Sequence, residues 1–244
     1  MDRRQFILSG SAVAGSLAIP MQSFAMSDIS GDLFAAKVKD TAAGNSRLSA
    51  SKIARLGIQA PLKQVTAPGG HDVSFPLTMR IARQYQENIY VWFETESVIR
   101  TYDQQGNEQN TIALPDSVSL IKDFALDSMG NIFILNGGQH QITWLSHQGD
   151  ILGYIGDFGI DLAEQLNGPT SLTLDSSDQL HVLNAGSRTV KVYKNNGVFL
   201  FEYGQPRWGK QRQLLSLDGK ETISASGGMM RDNRWHFTPS GQIQ

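Results

Sequence analysis

Apolar and polar positions alternate along this chain in short stretches. The segments Asn88–Trp92, Asn131–Leu135 and Gln179–Leu183 are rich in β-branched, aliphatic and aromatic residues, and each follows a polar turn. A period of two, broken by frequent turn residues, predicts short β-strands and excludes a solenoid of helices.

The predicted turns recur with a nearly constant spacing. Glycine closes each of the segments Tyr102–Gly106, Leu145–Gly149, Tyr193–Gly197 and, more weakly, Phe237–Gly241, so these glycines lie 43, 48 and 44 residues apart. A tight turn between two strands needs a positive φ, which glycine adopts without strain. Asp127, Asp175 and Asp218, each at the end of an apolar segment, mark a second landmark with a similar period. Four short strands in each unit of this length indicate the blades of a β-propeller.

Two of these units resemble NHL repeats. The resemblance rests on Asn167–Asp175, Asp178–Asn184 and Val190–Tyr193, and again on Phe124–Leu152. It covers residues 77–206 well and 207–244 weakly. It implies an all-β fold, a β-propeller of NHL-like four-stranded blades, and says almost nothing about function.

This chain departs from the family where charged loop residues are common. The positions that usually hold Asp after the second strand hold Phe93, Asn136 and Asn184, and the positions that usually hold Arg hold Val98, Gln141 and Thr189. The loss of these charges places the family's charged binding surface in doubt.

The propeller is expected to occupy residues 51–244, with repeats at about 77–117, 121–161, 166–206 and 207–244. These make four blades, or five if 51–76 forms part of another, and an incomplete propeller is an alternative. The fourth repeat stops just after its glycine turn. We therefore expect 51–76 to supply a closing strand, at Ile58–Val65, since propellers avoid open strand edges by closing the ring.

The N-terminus resembles a twin-arginine export signal. Arg3, Arg4 and Phe6 match its motif, the apolar run Ile7–Ile19 is too short to span a membrane, and the small residues around Ala25 favour cleavage after it. The resemblance implies a signal peptide at 1–25, a periplasmic protein, and no stable membrane anchor after cleavage. An ordinary secretion signal is the alternative. Residues 26–50, rich in Ala, Ser, Gly and Lys, are expected to form a linker or flexible arm.

Composition limits the chemistry. A net charge of −2 argues against a nucleic-acid partner, and a chain without cysteine has no disulfide, thiolate nucleophile or iron–sulfur ligand. The five histidines show no ligand spacing, and no nucleophile-elbow motif is present. Asp127, Asp175 and Asp218 suggest metal ligands, but because they recur in every unit we interpret them as turn residues. We predict no catalytic residue, no metal site and no cofactor.

The loops at one end of the propeller are the predicted contact sites. The candidate residues are Asn136, His140, Phe158, Asn184, Arg188, Arg207 and Trp208. The favoured function is an exported, non-catalytic binding or scaffold protein whose partner is another periplasmic protein or a polysaccharide. The alternatives are a metal-dependent propeller hydrolase or lyase, and an accessory subunit of a redox enzyme exported by the twin-arginine route.

Overall fold

The computed structural model describes residues 47–204, 214–217, 223–226 and 234–242. Within these residues the chain forms one short helix, α1 (Ala50–Arg55), and then a series of antiparallel strands. The strands are β1 (Leu62–Thr66), β2 (Asp72–Pro76), β3 (Met79–Tyr85), β4 (Asn88–Phe93), β5 (Val98–Tyr102), β6 (Glu108–Ala113), β7 (Ile121–Leu126), β8 (Ile132–Asn136), β9 (Gln141–Leu145), β10 (Ile151–Ile155), β11 (Pro169–Leu174), β12 (Leu180–Asn184), β13 (Thr189–Tyr193), β14 (Phe199–Tyr203), β15 (Leu214–Leu217), β16 (Ile223–Ser226) and β17 (Arg234–Phe237). None of the described helical residues forms a segment long and apolar enough to cross a bilayer.

Consecutive strands pair into sheets that are the blades of a β-propeller. The sheets β3–β6, β7–β10 and β11–β14 each have four strands, and β15–β17 form a sheet of three. The first strand of each sheet contacts the first strand of the next, in the order β3, β7, β11, β15, so these strands lie innermost. The outer strands β6 and β10 are largely exposed. The all-β propeller predicted from the repeats is confirmed.

The hydrophobic core lies between adjacent blades. Every side chain of β8 is buried. Because successive side chains of a strand point to opposite faces, both faces of β8 are therefore covered. Ile132 and Ile134 pack with Ile81 and Ile99 of the first blade, whereas Phe133 and Leu135 pack with the third blade. Trp92 packs against the core between the first and second blades, and Trp144 packs against the core between the second and third.

The turn residues have the predicted roles. The glycines that close the turn after the third strand of each sheet have φ values of 84°, 98°, 91° and 81°, at Gly106, Gly149, Gly197 and Gly241. One carboxylate oxygen of Asp127 accepts from the backbone N–H groups of Met129 and Asn131, each at 2.9 Å. Asp175 binds its own turn in the same way. These aspartates stabilise turns, while Asp218 lies outside the described residues.

Segment 51–76 differs from the expectation. Instead of closing the last blade, it forms α1 and a hairpin of β1 and β2. Among the described strands, β1 pairs with β2 alone. The turn between these strands contains Gly69 and Gly70, both with positive φ. Pairing across so short a loop costs less chain entropy than pairing with a strand far away in sequence, which is the physical reason why the expected closing strand forms a local hairpin.

The predicted linker 26–50 also ends earlier than expected. The backbone N–H of Leu48 donates to the carbonyl of Ala82 at 2.8 Å, and the Leu48 side chain is buried. Ser49 caps α1 by accepting from the N–H of Lys52. Residues 47–50 therefore belong to the propeller domain. The predicted signal peptide and the rest of the linker lie outside the described residues.

Candidate functional site

The loops of this propeller separate onto two ends because the strands of each blade alternate in direction. One end carries the turns after the first and third strands of each blade. The other end, which we call the loop face, carries the loops after the second strand and the connections between blades. The described segments of the loop face are 94–97, 114–120, 137–140, 156–168 and 185–188.

The described members of the predicted contact set lie at this loop face. Asn136 and Asn184 end the second strands of their blades, His140 and Arg188 end the loops that follow, and Phe158 lies in the connection from β10 to β11. Arg207 and Trp208 lie outside the described residues. The five residues nevertheless differ in what they present at the surface.

Asn136 and Asn184 are buried and stabilise the loops. The Asn136 amide donates to the carbonyl of Ser117 at 2.9 Å, and its oxygen accepts from the N–H of Gly138. The Asn184 oxygen accepts from the N–H of Asn167 at 2.7 Å. An amide both donates and accepts, which suits these positions. These two side chains therefore connect neighbouring segments of the loop face, and their polar groups are not presented to a partner.

Phe158 belongs to an exposed apolar surface on the 156–168 loop. The side chains of Phe158, Ile160 and Leu162 are 65%, 77% and 55% exposed. The ring of Phe158 meets the ring of His140 edge to face, with centroids 4.8 Å apart. His140 is partly buried, and its Nδ1 lies 3.4 Å from the N–H of Gly168, which donates to it. The structure thus brings together two predicted contact residues from different blade elements.

The backbone of the 156–168 loop is fixed by its own hydrogen bonds. Leu166 is fully buried, its N–H donates to the carbonyl of Asp157 at 2.8 Å, and its carbonyl accepts from the N–H of Gly159. The side-chain oxygen of Gln165 accepts from the N–H groups of Asp161 and Leu162, each at 3.0 Å. The loop is closed on itself like a compact Ω-loop.

Strand β13 supports the same loop from below. The buried Lys191 ammonium donates to the carbonyl of Ala163, and the Tyr193 hydroxyl donates to the carbonyl of Glu164 at 2.7 Å. Burial raises the pKa of Tyr193, so its hydroxyl remains a neutral donor. Because the backbone is held in this way, the loop loses little conformational entropy when a partner covers its apolar side chains.

The centre of the propeller holds a buried ion pair that sequence reasoning missed. Arg83 of β3 and Asp123 of β7 are both fully buried and meet at 2.9 Å. The Arg83 guanidinium also donates to the carbonyls of Phe124 and Leu172, each within 2.9 Å. Asp123 accepts from the Ser171 hydroxyl at 2.6 Å. The pair therefore joins the inner strands of three blades.

Arg47 approaches the same pair from the N-terminal segment. One of its guanidinium nitrogens lies 3.6 Å from Asp123. The available signal in the sequence was a charged residue directly after apolar residues of a predicted strand, as Arg83 follows Ile81 and Ala82. Its partners are distant in sequence, so only the assembled blades identify them.

The described histidines are dispersed. His181 is fully buried between the Tyr203 hydroxyl at 3.0 Å and a carboxylate oxygen of Asp175 at 3.3 Å. Burial raises the pKa of Tyr203. His71 and His147 lie in exposed turns. Among the residues that the structure describes, no three His, Asp or Glu side chains converge as metal ligands would.

A cleft of about 410 Å³ opens on the loop face between the first and second blades. Trp92 and Leu114 line its apolar side, and Glu94 and Asp116 contribute carboxylates. Glu94 is engaged by Arg80 at 2.6 Å. The volume is in the range of small-ligand sites.

Comparison with known proteins supports the fold. No family model and no curated protein matches the chain. A streptogramin B lyase structure aligns at 15% identity over 75% of this chain and 57% of its own, with a TM-score of 0.50. Virginiamycin B lyase from Staphylococcus aureus aligns at 14% identity over 76% of this chain and 62% of its own, also at 0.50. A catalytically inactive variant of that lyase with quinupristin gives 13% identity, the same coverages and a TM-score of 0.51.

These matches show the β-propeller fold and nothing finer, because identities of 13–15% carry no function. The chain spans 57% to 62% of the length of the lyases it resembles.

Proposed function

We propose that this chain is a non-catalytic binding protein that contacts another protein through the surface formed by His140, Phe158, Ile160 and Leu162. The observation that carries the proposal is the exposure of three large apolar side chains on a loop whose backbone is held by buried donors and acceptors. Contiguous apolar surface on a soluble protein marks interaction sites. Aromatic anchors such as Phe158 supply much of the binding energy at protein interfaces.

A photo-crosslinking amino acid at position 158 tests this proposal in the organism that produces the chain. We expect one discrete protein adduct from position 158, and its loss when Ile160→Ser and Leu162→Ser are added. The matched control places the same cross-linker at Met129, which is similarly exposed but lies in a turn at the opposite end of the propeller. Equal adducts from both positions, or none from position 158, contradict the proposal.

A saccharide ligand is a second candidate, and the cleft beside Trp92 favours it. Trp92 provides an aromatic face, and its indole N–H is already engaged by the carbonyl of Glu96 at 3.1 Å. Titration with a panel of oligosaccharides is expected to change tryptophan fluorescence in the unmodified chain and not in Trp92→Phe. A panel that leaves the fluorescence and the melting temperature unchanged removes this candidate.

The export and enzyme hypotheses are separable by other measurements. For the proposed twin-arginine export to the periplasm, the support is the Arg3-Arg4 motif, and replacing both by Lys is expected to retain the chain in the cytoplasm. Persistent export would also remove the support for an accessory role beside a twin-arginine-exported redox enzyme. A metal-dependent hydrolase or lyase requires bound metal, so elemental analysis well below one equivalent argues against that alternative.

A further inference from the structure

The exposed apolar side chains of the 156–168 loop are interleaved with negative charge. Asp157, Asp161 and Glu164 are all exposed, and no lysine or arginine occurs anywhere in the loop. Asp157 precedes Phe158, Asp161 lies between Ile160 and Leu162, and Glu164 follows two residues after Leu162. A partner that covers the apolar side chains must therefore approach three carboxylates.

These carboxylates are not neutralised within the described structure. Among the ion pairs of the described residues, none includes Asp157, Asp161 or Glu164. Asp157 accepts from the neutral amide of Gln141 at 3.2 Å, which leaves its charge in place. Lys191 is buried, donates to a backbone carbonyl beneath the loop, and lies 3.6 Å from Glu202.

We infer that the segment docking on this loop is a basic amphipathic protein segment, with apolar anchors flanked by Lys or Arg side chains. The inference rests on the proposed function and specifies the chemistry of the partner. Charge complementarity directs encounter and excludes partners of like charge. An anionic lipid surface has an apolar interior too, but its headgroups carry the same sign as the loop.

Selection from a random peptide display library on the immobilised chain tests the inference. The library is counter-selected on the variant with Phe158→Ser, Ile160→Ser and Leu162→Ser. We expect enriched peptides that combine aromatic or branched aliphatic residues with a net positive charge. Enriched peptides that are neutral or acidic overturn the inference while sparing the proposed function. Two results argue against both the inference and the proposed function: no peptide binds the unmodified chain better than the triple variant, or anionic vesicles capture the chain instead.

Charge-removal variants then measure the contribution of the loop carboxylates. For an enriched peptide, Asp157→Asn with Asp161→Asn is expected to weaken binding about fivefold at low salt, less as salt rises, because each exposed charge contact contributes modestly and is screened. The control, Glu87→Gln with Asp150→Asn, removes two exposed carboxylates from turns at the opposite end and is expected to change binding less than about twofold. Equal effects of the two pairs overturn the charge assignment.

Discussion

Replacing Arg83 by methionine tests whether the central ion pair holds the blades together. Arg83 donates to Asp123 at 2.9 Å and to the carbonyls of Phe124 and Leu172. Methionine keeps most of the side-chain volume but removes the charge and the donors. Breaking a buried ion pair from one side costs about 3–5 kcal/mol, because the remaining charge stays buried without its partner.

The structure favours the lower end of that range. After the substitution, Asp123 keeps the Ser171 hydroxyl at 2.6 Å, the N–H groups of Phe124 and Leu172, and Arg47 at 3.6 Å. We therefore expect a loss of about 3 kcal/mol in the free energy of unfolding. For a domain of this size that loss lowers the melting temperature by roughly 6–12 °C.

Urea unfolding followed by tryptophan fluorescence measures the loss. The control is Arg80→Met in the same strand. Arg80 pairs with Glu94, both side chains are solvent-exposed, and the pair is expected to contribute less than about 1 kcal/mol to the free energy of unfolding. The double variant Arg83→Met with Asp123→Asn removes the buried charge as well, so it is expected to be more stable than Arg83→Met alone. If Arg83→Met costs no more than Arg80→Met, or the double variant is the least stable, the buried-charge reasoning is wrong.

Two further predictions concern turns. Gly106→Ala is expected to lower the melting temperature more than Gly57→Ala. Both glycines have a positive φ, but of the two only Gly106 would place the added Cβ against a backbone oxygen, that of Leu56, at 1.9 Å. Equal losses in melting temperature would refute this. Burial raises the pKa of Asp178, so the stability its protonated form contributes is lost as pH rises through the folded pKa. The melting temperature of Asp178→Asn, relative to the unmodified chain, should therefore rise as pH increases from about 3 to 7. Ser128→Ala removes the hydrogen bond from the Ser128 hydroxyl to Asp178, which lowers this pKa, and should show the opposite trend. A pH-independent difference contradicts the assignment.

The local features of the fold follow from local chemistry. Glycine at positions 106, 149, 197 and 241 is explained by a single backbone requirement, a positive φ in a tight turn, and the structure has it at all four. The same holds for Asp127 and Asp175, whose carboxylates bind N–H groups only two and four residues away. Interactions of such short range can be predicted from the sequence because chain connectivity already brings the partners together.

The candidate site could be predicted only in part from the sequence. His140 and Phe158 were both placed on loops, yet their ring contact depends on how the second and third blades pack. Asn136 and Asn184 were expected to contact a partner, but neighbouring segments cover them. A loop position in sequence says that a side chain lies near the surface and leaves its direction open.

The sequence by itself determined the strand period, the turns and the repetition of blades, since each depends on residues within a few positions of one another. Only the tertiary structure decided that Arg83 binds groups 40 and 89 residues away, and that three apolar side chains remain exposed on a rigid loop. The physical reason is that burial and pairing of a charge or an apolar group depend on which blades surround it, and that arrangement exists only once the sheets have packed.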